Sequence, residues 1–158
     1  MRRIYIMLVH FRIDDRLIHG QVTVAWSKHI NAQRIVVAND DAAKDDIQKS
    51  LLPLAAPPGV DVRIVPLKEA LENIKDRRSM LLVKTPKDAV ALLGMGLEAK
   101  EINIGNMGFA QGRKNLTKSL SLSEKEIEEL REAAQRGVFV YFQMLPQDKK
   151  VPLEELVK

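Results

Sequence analysis

Short apolar runs alternate along this chain with segments whose apolar residues recur at helical spacing. That alternation constrains the fold more than any other feature of the sequence. Ile4–Phe11 (IYIMLVHF), Arg34–Ala38 (RIVVA), Val60–Val65, Met80–Val83 and Glu101–Ile104 read as strands. Most are continuously apolar, as strands buried on both faces are. Gly20–Ile30 sets Val22, Ala25, Trp26, His29 and Ile30 at helical spacing. Ala42–Ala55 carries Ile47, Leu51, Leu52 and Ala55 on one stripe, a second helix that Pro57-Pro58-Gly59 breaks. Leu67–Ile74 reads as a short third helix. Pro86 opens a fourth, at a position where its missing N–H costs nothing. Leu116–Leu122 alternates apolar and polar residues, as a half-exposed strand does. Ser123 and Glu126 form a capping box for a helix to Arg136, which Gly137 stops. Val138–Leu145 is the last core strand.

This order predicts an α/β fold: a doubly wound, open, mostly parallel sheet of about six to seven strands with helices on both faces. The 158 residues suit a single domain spanning the chain, and no repeat, long linker or low-complexity tract divides them. Ligands of such folds bind beyond the carboxyl ends of the strands. Those ends carry Asp14, Asp15 and His19, then Asn39 and Asp40, Lys84 and Thr85, and Asn106 and Gly108.

Composition narrows the chemistry. The absence of cysteine excludes disulfides and thiol catalysis and agrees with a cytoplasmic location. No apolar run reaches the roughly 18 residues of a spanning helix. The opening MRRIYIMLVHF has a basic start and a short apolar run. His10 and Arg12 interrupt it and no small-residue cleavage site follows, so it reads as strand rather than signal peptide. Met7 is an alternative natural start, since MLVHFRIDD is a complete strand entry. The net charge of +4 suits solubility or attraction to a phosphorylated partner. The bases are scattered and aromatics make up only 4%, which argues against a nucleic-acid surface.

One stretch concentrates reactive groups: RIDDRLIHGQV, Arg12–Val22. His19 falls at the expected start of the first helix, where free N–H groups and partial positive charge hold anions, phosphate above all. The same field disfavours a protonated imidazole. Gly20 lets a phosphate approach, with Gln21 beside it. Arg16 reaches the same oxygens with planar donors. Asp14 or Asp15 accepts the proton of one ring nitrogen and frees the other for attack. Arg12 serves either the phosphate or a docking surface. These groups suit a histidine that takes a phosphoryl group and gives it away. His10 and His29 read as structural, with His10 next in line as acceptor, and Trp26 reads as core. An Asp-Asp-His metal site lacks a further ligand at clear spacing, so no metal is expected.

RIDDRLIHGQV resembles the phosphorylation-site motif of the sorbose/mannose-family IIB components of the bacterial phosphoenolpyruvate-dependent sugar phosphotransferase system. The likeness covers nearly the whole chain: VVANDDAAKDD, VKTP, INIGNMG, KNLTKSLSLSEKE and GVFVYFQMLP resemble its later segments. The extra residues before the first strand and the aromatic-rich VFVYF depart from the pattern, which bears on partner preference and not on the reaction. The resemblance implies a single IIB domain over residues 1–158. It implies a relay in which a IIA phosphohistidine charges His19 on Nδ1, with Nε2–H on the hydrogen-bonded side. His19 then phosphorylates a sugar held by the membrane IIC/IID pair. It implies a cytoplasmic protein, at the membrane only during transfer, that needs no cofactor, ATP or magnesium. The winding of the sheet, apart from the resemblance, puts Asn39, Asp40, Lys84, Thr85 and Asn106 in a ring about His19. A homodimer is compatible with the sequence.

Two rivals share the architecture. A receiver-like signalling module needs an acceptor aspartate after its third strand, where this chain reads RIVPLK. A nucleotide-binding enzyme needs a glycine-rich fingerprint; IGNMG is too short and no Walker lysine motif occurs.

Overall fold

The apolar runs assemble into a seven-stranded sheet in the computed structural model, which describes residues 7–158. In chain order the strands are β1 Leu8–Ile13, β2 Arg34–Ala38, β3 Asp61–Val65, β4 Ser79–Val83, β5 Glu101–Ile104, β6 Lys114–Thr117, β7 Leu120–Leu122, β8 Phe139–Phe142 and β9 Val151–Pro152. The helices are α1 Gly20–His29, α2 Asp40–Lys44, α3 Asp46–Leu51, α4 Ala70–Asn73, α5 Pro86–Gly94, α6 Glu124–Gln135 and α7 Leu153–Leu156. The sheet order is β3-β2-β4-β1-β5-β8-β9, parallel except where β9 joins β8.

Both faces of the sheet are covered, and the strand period shows how. Ile35 and Val37 of β2 and Met80 and Leu82 of β4 cluster with Ile18, Trp26 and Ala42, on the face that α1 and α2 cover. Their neighbours Val36, Ala38, Leu81 and Val83 cluster with Ala70, Leu92, Leu130 and Leu153, from α4 to α7. Successive side chains of a strand point to opposite faces, so each run feeds two cores. This is the doubly wound α/β arrangement expected from the alternation. No helix among the described residues is long and apolar enough to cross a membrane.

Several elements differ from the sequence expectation. The first strand begins at Leu8 and runs on to Ile13; residues 4–6 lie outside the described residues. The second helix is not continuous. Asp45 is extended (φ −104°, ψ 106°) and its carboxylate accepts the Ile47 and Gln48 N–H groups, restarting the helix as α3. A 3₁₀ turn, Leu52–Ala55, follows, and Ile47 and Leu51 of the expected buried stripe are exposed. The third helix is a 3₁₀ turn, Leu67–Glu69, leading into α4. Leu116–Leu122 spans the end of β6, the turn and β7, a hairpin rather than one strand. The last core strand is shorter than Val138–Leu145, ending at Phe142, and the chain then returns as β9.

The fold fixes where the reactive stretch leaves the sheet. Ile13 ends β1 with no exposed surface, and burying such a side chain contributes about 1.5–3 kcal/mol. β1 lies between β4 and β5, and its chain departs to the face opposite α5 and α6. Such a reversal opens a crevice at the carboxyl edge.

Candidate functional site

The loop from Asp14 to His19 crosses that crevice. Asp14 N–H donates to the Val83 carbonyl of β4 and Asp15 N–H to the Asn106 carbonyl after β5, so both flanking strands hold it. Leu17 has φ +59°, costly for a bulky side chain, and is buried, with its N–H on the Asp14 carbonyl. His19 is the extended N-cap residue of α1, and Gly20 follows at φ +45° with open space around its Cα. His19 N–H donates to Thr23 Oγ1, and the imidazole gives no cap of its own. Every other α-helix among the described residues has an acidic residue in its first turn; α1 has none. Its positive end is left to solvent or an anion.

His19 Nε2 lies 2.8 Å from Asp14 Oδ2, and the histidine side chain is about one-fifth exposed (20%) while the carboxylate is buried (1%). An ionised carboxylate only accepts, so Nε2 carries the proton and Nδ1 has the free lone pair. Asp14 Oδ1 accepts the Arg16 N–H, and Oδ2 also accepts Arg12 Nε at 3.2 Å. Asp15 does something different. Its carboxylate accepts Gly108 N–H and both terminal nitrogens of Arg113, which also grips Glu126 of the α6 capping box. Those bonds raise the Arg113 pKa further, Asp15 first and Glu126 after it, against the opposing effect of burial. The structure therefore separates two adjacent aspartates that the sequence left equivalent.

Arg12 is not on a docking surface. It is 1% exposed, its Nη1 donates to Asn103 Oδ1 and the Gln143 carbonyl, and its guanidinium lies 5.6 Å from the Trp26 ring centroid. Burial lowers its pKa while Asp14 opposes the shift. The guanidinium passes where a Cβ on residue 105 would stand, which explains Gly105. Trp26 is core, as expected, with Nε1–H on the Met144 carbonyl. His10 stacks on it at 4.2 Å and shares Asn103 Oδ1; burial lowers its pKa to about 3.

The remaining expected rim residues all lie at the carboxyl edge. Lys84 and Thr85 follow β4, beside the histidine loop, and Asn106 and Gly108 follow β5. Asn39 and Asp40 follow β2, two strands and so roughly 10 Å from β1 across the sheet. Asn39 caps α2, Thr85 caps α5, and Asp40 accepts the Leu67 N–H, so those oxygens serve the scaffold. Arg16, Gln21 and Lys84 are exposed, and no side-chain bond is formed by them among the described residues. Asn103, Gly105, Arg113 and Gln143 were not singled out from sequence. The quoted segments INIGNMG and GVFVYFQMLP contain three of them, without any sign of what they touch.

Residues 7–158 match the family described as the sorbose-subfamily IIB component of the phosphotransferase system. The sorbose-specific EIIB component of Klebsiella pneumoniae is 40% identical over 145 residues, 89% of this chain and 88% of that one. The counterpart from Lacticaseibacillus casei is 41% identical over 132 residues, 80% of each chain. The crystal structure of the IIB domain of the Klebsiella pneumoniae sorbose permease superposes with a TM-score of 0.90 at 37% identity, covering 95% of both chains.

Proposed function

The chain belongs to the sorbose-subfamily IIB components of the phosphoenolpyruvate-dependent sugar phosphotransferase system, and from that premise we propose that His19 is its phosphoryl acceptor. Components of this kind carry phosphoryl groups between a IIA component and a sugar taken up through membrane partners. No receiver-like signalling role finds support among the relatives. We take residues 1–158 as one IIB domain that works in the cytoplasm and meets the IIC/IID pair at the membrane.

A single observation carries the assignment: Asp14 Oδ2 at 2.8 Å from His19 Nε2 leaves Nδ1 as the nucleophile. In the first step the N–P bond of the IIA phosphohistidine breaks and a P–Nδ1 bond forms on His19. The ring then bears positive charge, which the buried Asp14 carboxylate stabilises through Nε2–H. In the second step P–Nδ1 breaks, a P–O bond forms to a sugar hydroxyl, and the hydroxyl proton leaves to a base on the membrane side. His19 returns neutral with its proton still on Nε2. The dianionic phosphoryl faces the open space at Gly20, the first N–H groups of α1 near Gln21, and Arg16. Lys84 and Asn106 add donors on the flanking strand ends. The donor supplies a labile N–P bond, so the protein has to position groups and stabilise charge on the transferred oxygens.

The test is charging with phosphoenolpyruvate, the general relay proteins and the cognate IIA. Acid-labile phosphate should appear on the parent and vanish in His19→Ala. Undiminished labelling of a folded His19→Ala protein would place the acceptor elsewhere.

A further inference from the structure

Phe109 is 83% exposed, more than any other large apolar side chain among the described residues. It follows Gly108, whose N–H donates to Asp15 Oδ2 at 2.8 Å, so it stands beside the histidine loop on the carboxyl edge. Its loop is held at both ends. Arg113 Nη1 donates at 2.8 Å to Asp15 Oδ2 and at 2.8 Å to the Gly108 carbonyl, and Arg113 N–H donates to the Ala110 carbonyl. Arg113 is anchored in turn on Glu126 by two bonds of 2.9 Å. The backbone on both sides of Phe109 is thus tied down, and its ring is presented to solvent.

A lone exposed apolar residue needs no explanation. One clamped in place beside a group-transfer histidine is a preorganised contact, because the ordering of the loop precedes the encounter. Burying an aromatic anchor of this kind dominates many small interfaces. The charge of the edge identifies what covers it. Arg16 and Lys84 are exposed there. A phosphorylated donor arrives carrying the dianionic group, whereas the sugar that later receives it arrives uncharged. Two exposed bases on the same strand-end edge as the apolar anchor therefore complement the charge of the donor's face.

We infer that Phe109 is the apolar anchor on which the phosphorylated IIA component docks, with Arg113 holding it at the required height. The inference rests on the reading of His19 as acceptor. It is tested by stopped transfer from phospho-IIA to the parent, Phe109→Ala and Phe109→Leu. A second arm measures sugar phosphorylation by pre-charged protein on vesicles bearing IIC/IID. Phe109→Ala should lower the second-order rate constant from phospho-IIA about tenfold or more. Saturating donor should restore the parent turnover, Phe109→Leu should retain most of the rate, and the sugar arm should be unchanged. Parent-like charging of Phe109→Ala overturns the inference and leaves the function standing. A loss confined to the sugar arm also overturns it, since the membrane pair would then be the occupant. A parent that phospho-IIA does not charge refutes the function itself, and the inference falls with it.

Discussion

Asp14 Oδ2 accepts from His19 Nε2 at 2.8 Å, while Oδ1 of the same carboxylate accepts the Arg16 N–H at 2.9 Å. The carboxylate is therefore held from both sides, and the imidazole it orients cannot turn without giving up that bond.

Asp14 and Asp15 should respond differently to the same change. Asp14→Asn removes the charge that fixes the Nε2–H tautomer, and loss of such an orienting carboxylate from a catalytic histidine costs up to about 10⁴-fold in rate. Asp15→Asn weakens the grip on Gly108 and Arg113, where a hydrogen bond to a charged group contributes about 1.5–3 kcal/mol of stability. Charging rates and urea midpoints of both variants check this. Equal losses of rate in the two would contradict the division of roles.

Gly105→Ala should disturb the site from behind. A Cβ there overlaps the Arg12 guanidinium, and overpacking of a core costs typically about 1–3 kcal/mol. Arg12 holds Asp14 at 3.2 Å, so charging should slow along with the loss of stability. A variant that unfolds at the parent urea concentration and charges at the parent rate would show that the guanidinium has room to move.

These two positions show where the sequence was legible and where it was not. RIVVA and MLLV read as strands because burial on both faces leaves a continuous apolar run. The capping box of α6 read correctly because Ser123 and Glu126 satisfy one another locally. Of the two readings of Arg12, phosphate or docking surface, burial removes the second, which the sequence could not show because its partners Asn103 and Gln143 lie 91 and 131 residues away. Gly105 has meaning only once that guanidinium is in place. Asp45 was illegible for the opposite reason: an acid within a helical pattern fits either a helix interior or an N-cap, and only the extended backbone decides.

His10 should give the protein a distinct acid sensitivity. Burial lowers its pKa from 6.5 to about 3 in the folded state. Between those values the unfolded chain binds a proton that the folded protein refuses. Its contribution is thus complete above pH 6.5 and is lost progressively as pH falls toward 3. The slope is about 1.4 kcal/mol per pH unit, or roughly 2 kcal/mol between pH 7 and pH 5. His10→Gln keeps a donor for Asn103 and does not titrate. Urea unfolding at the two pH values should show the parent losing roughly that much more than the variant. Equal losses would mean that His10 is protonated in the fold.

The position of the phosphoryl on the ring tests the account most directly. On the proposed mechanism Asp14, on Nε2, leaves Nδ1 as the attacking atom. Nitrogen-15 and phosphorus-31 spectra of the charged, histidine-labelled protein should show one phosphoryl group, bonded to Nδ1 of His19, with the proton on Nε2. A phosphoryl on Nε2 of His19, or on His10 or His29, would contradict it.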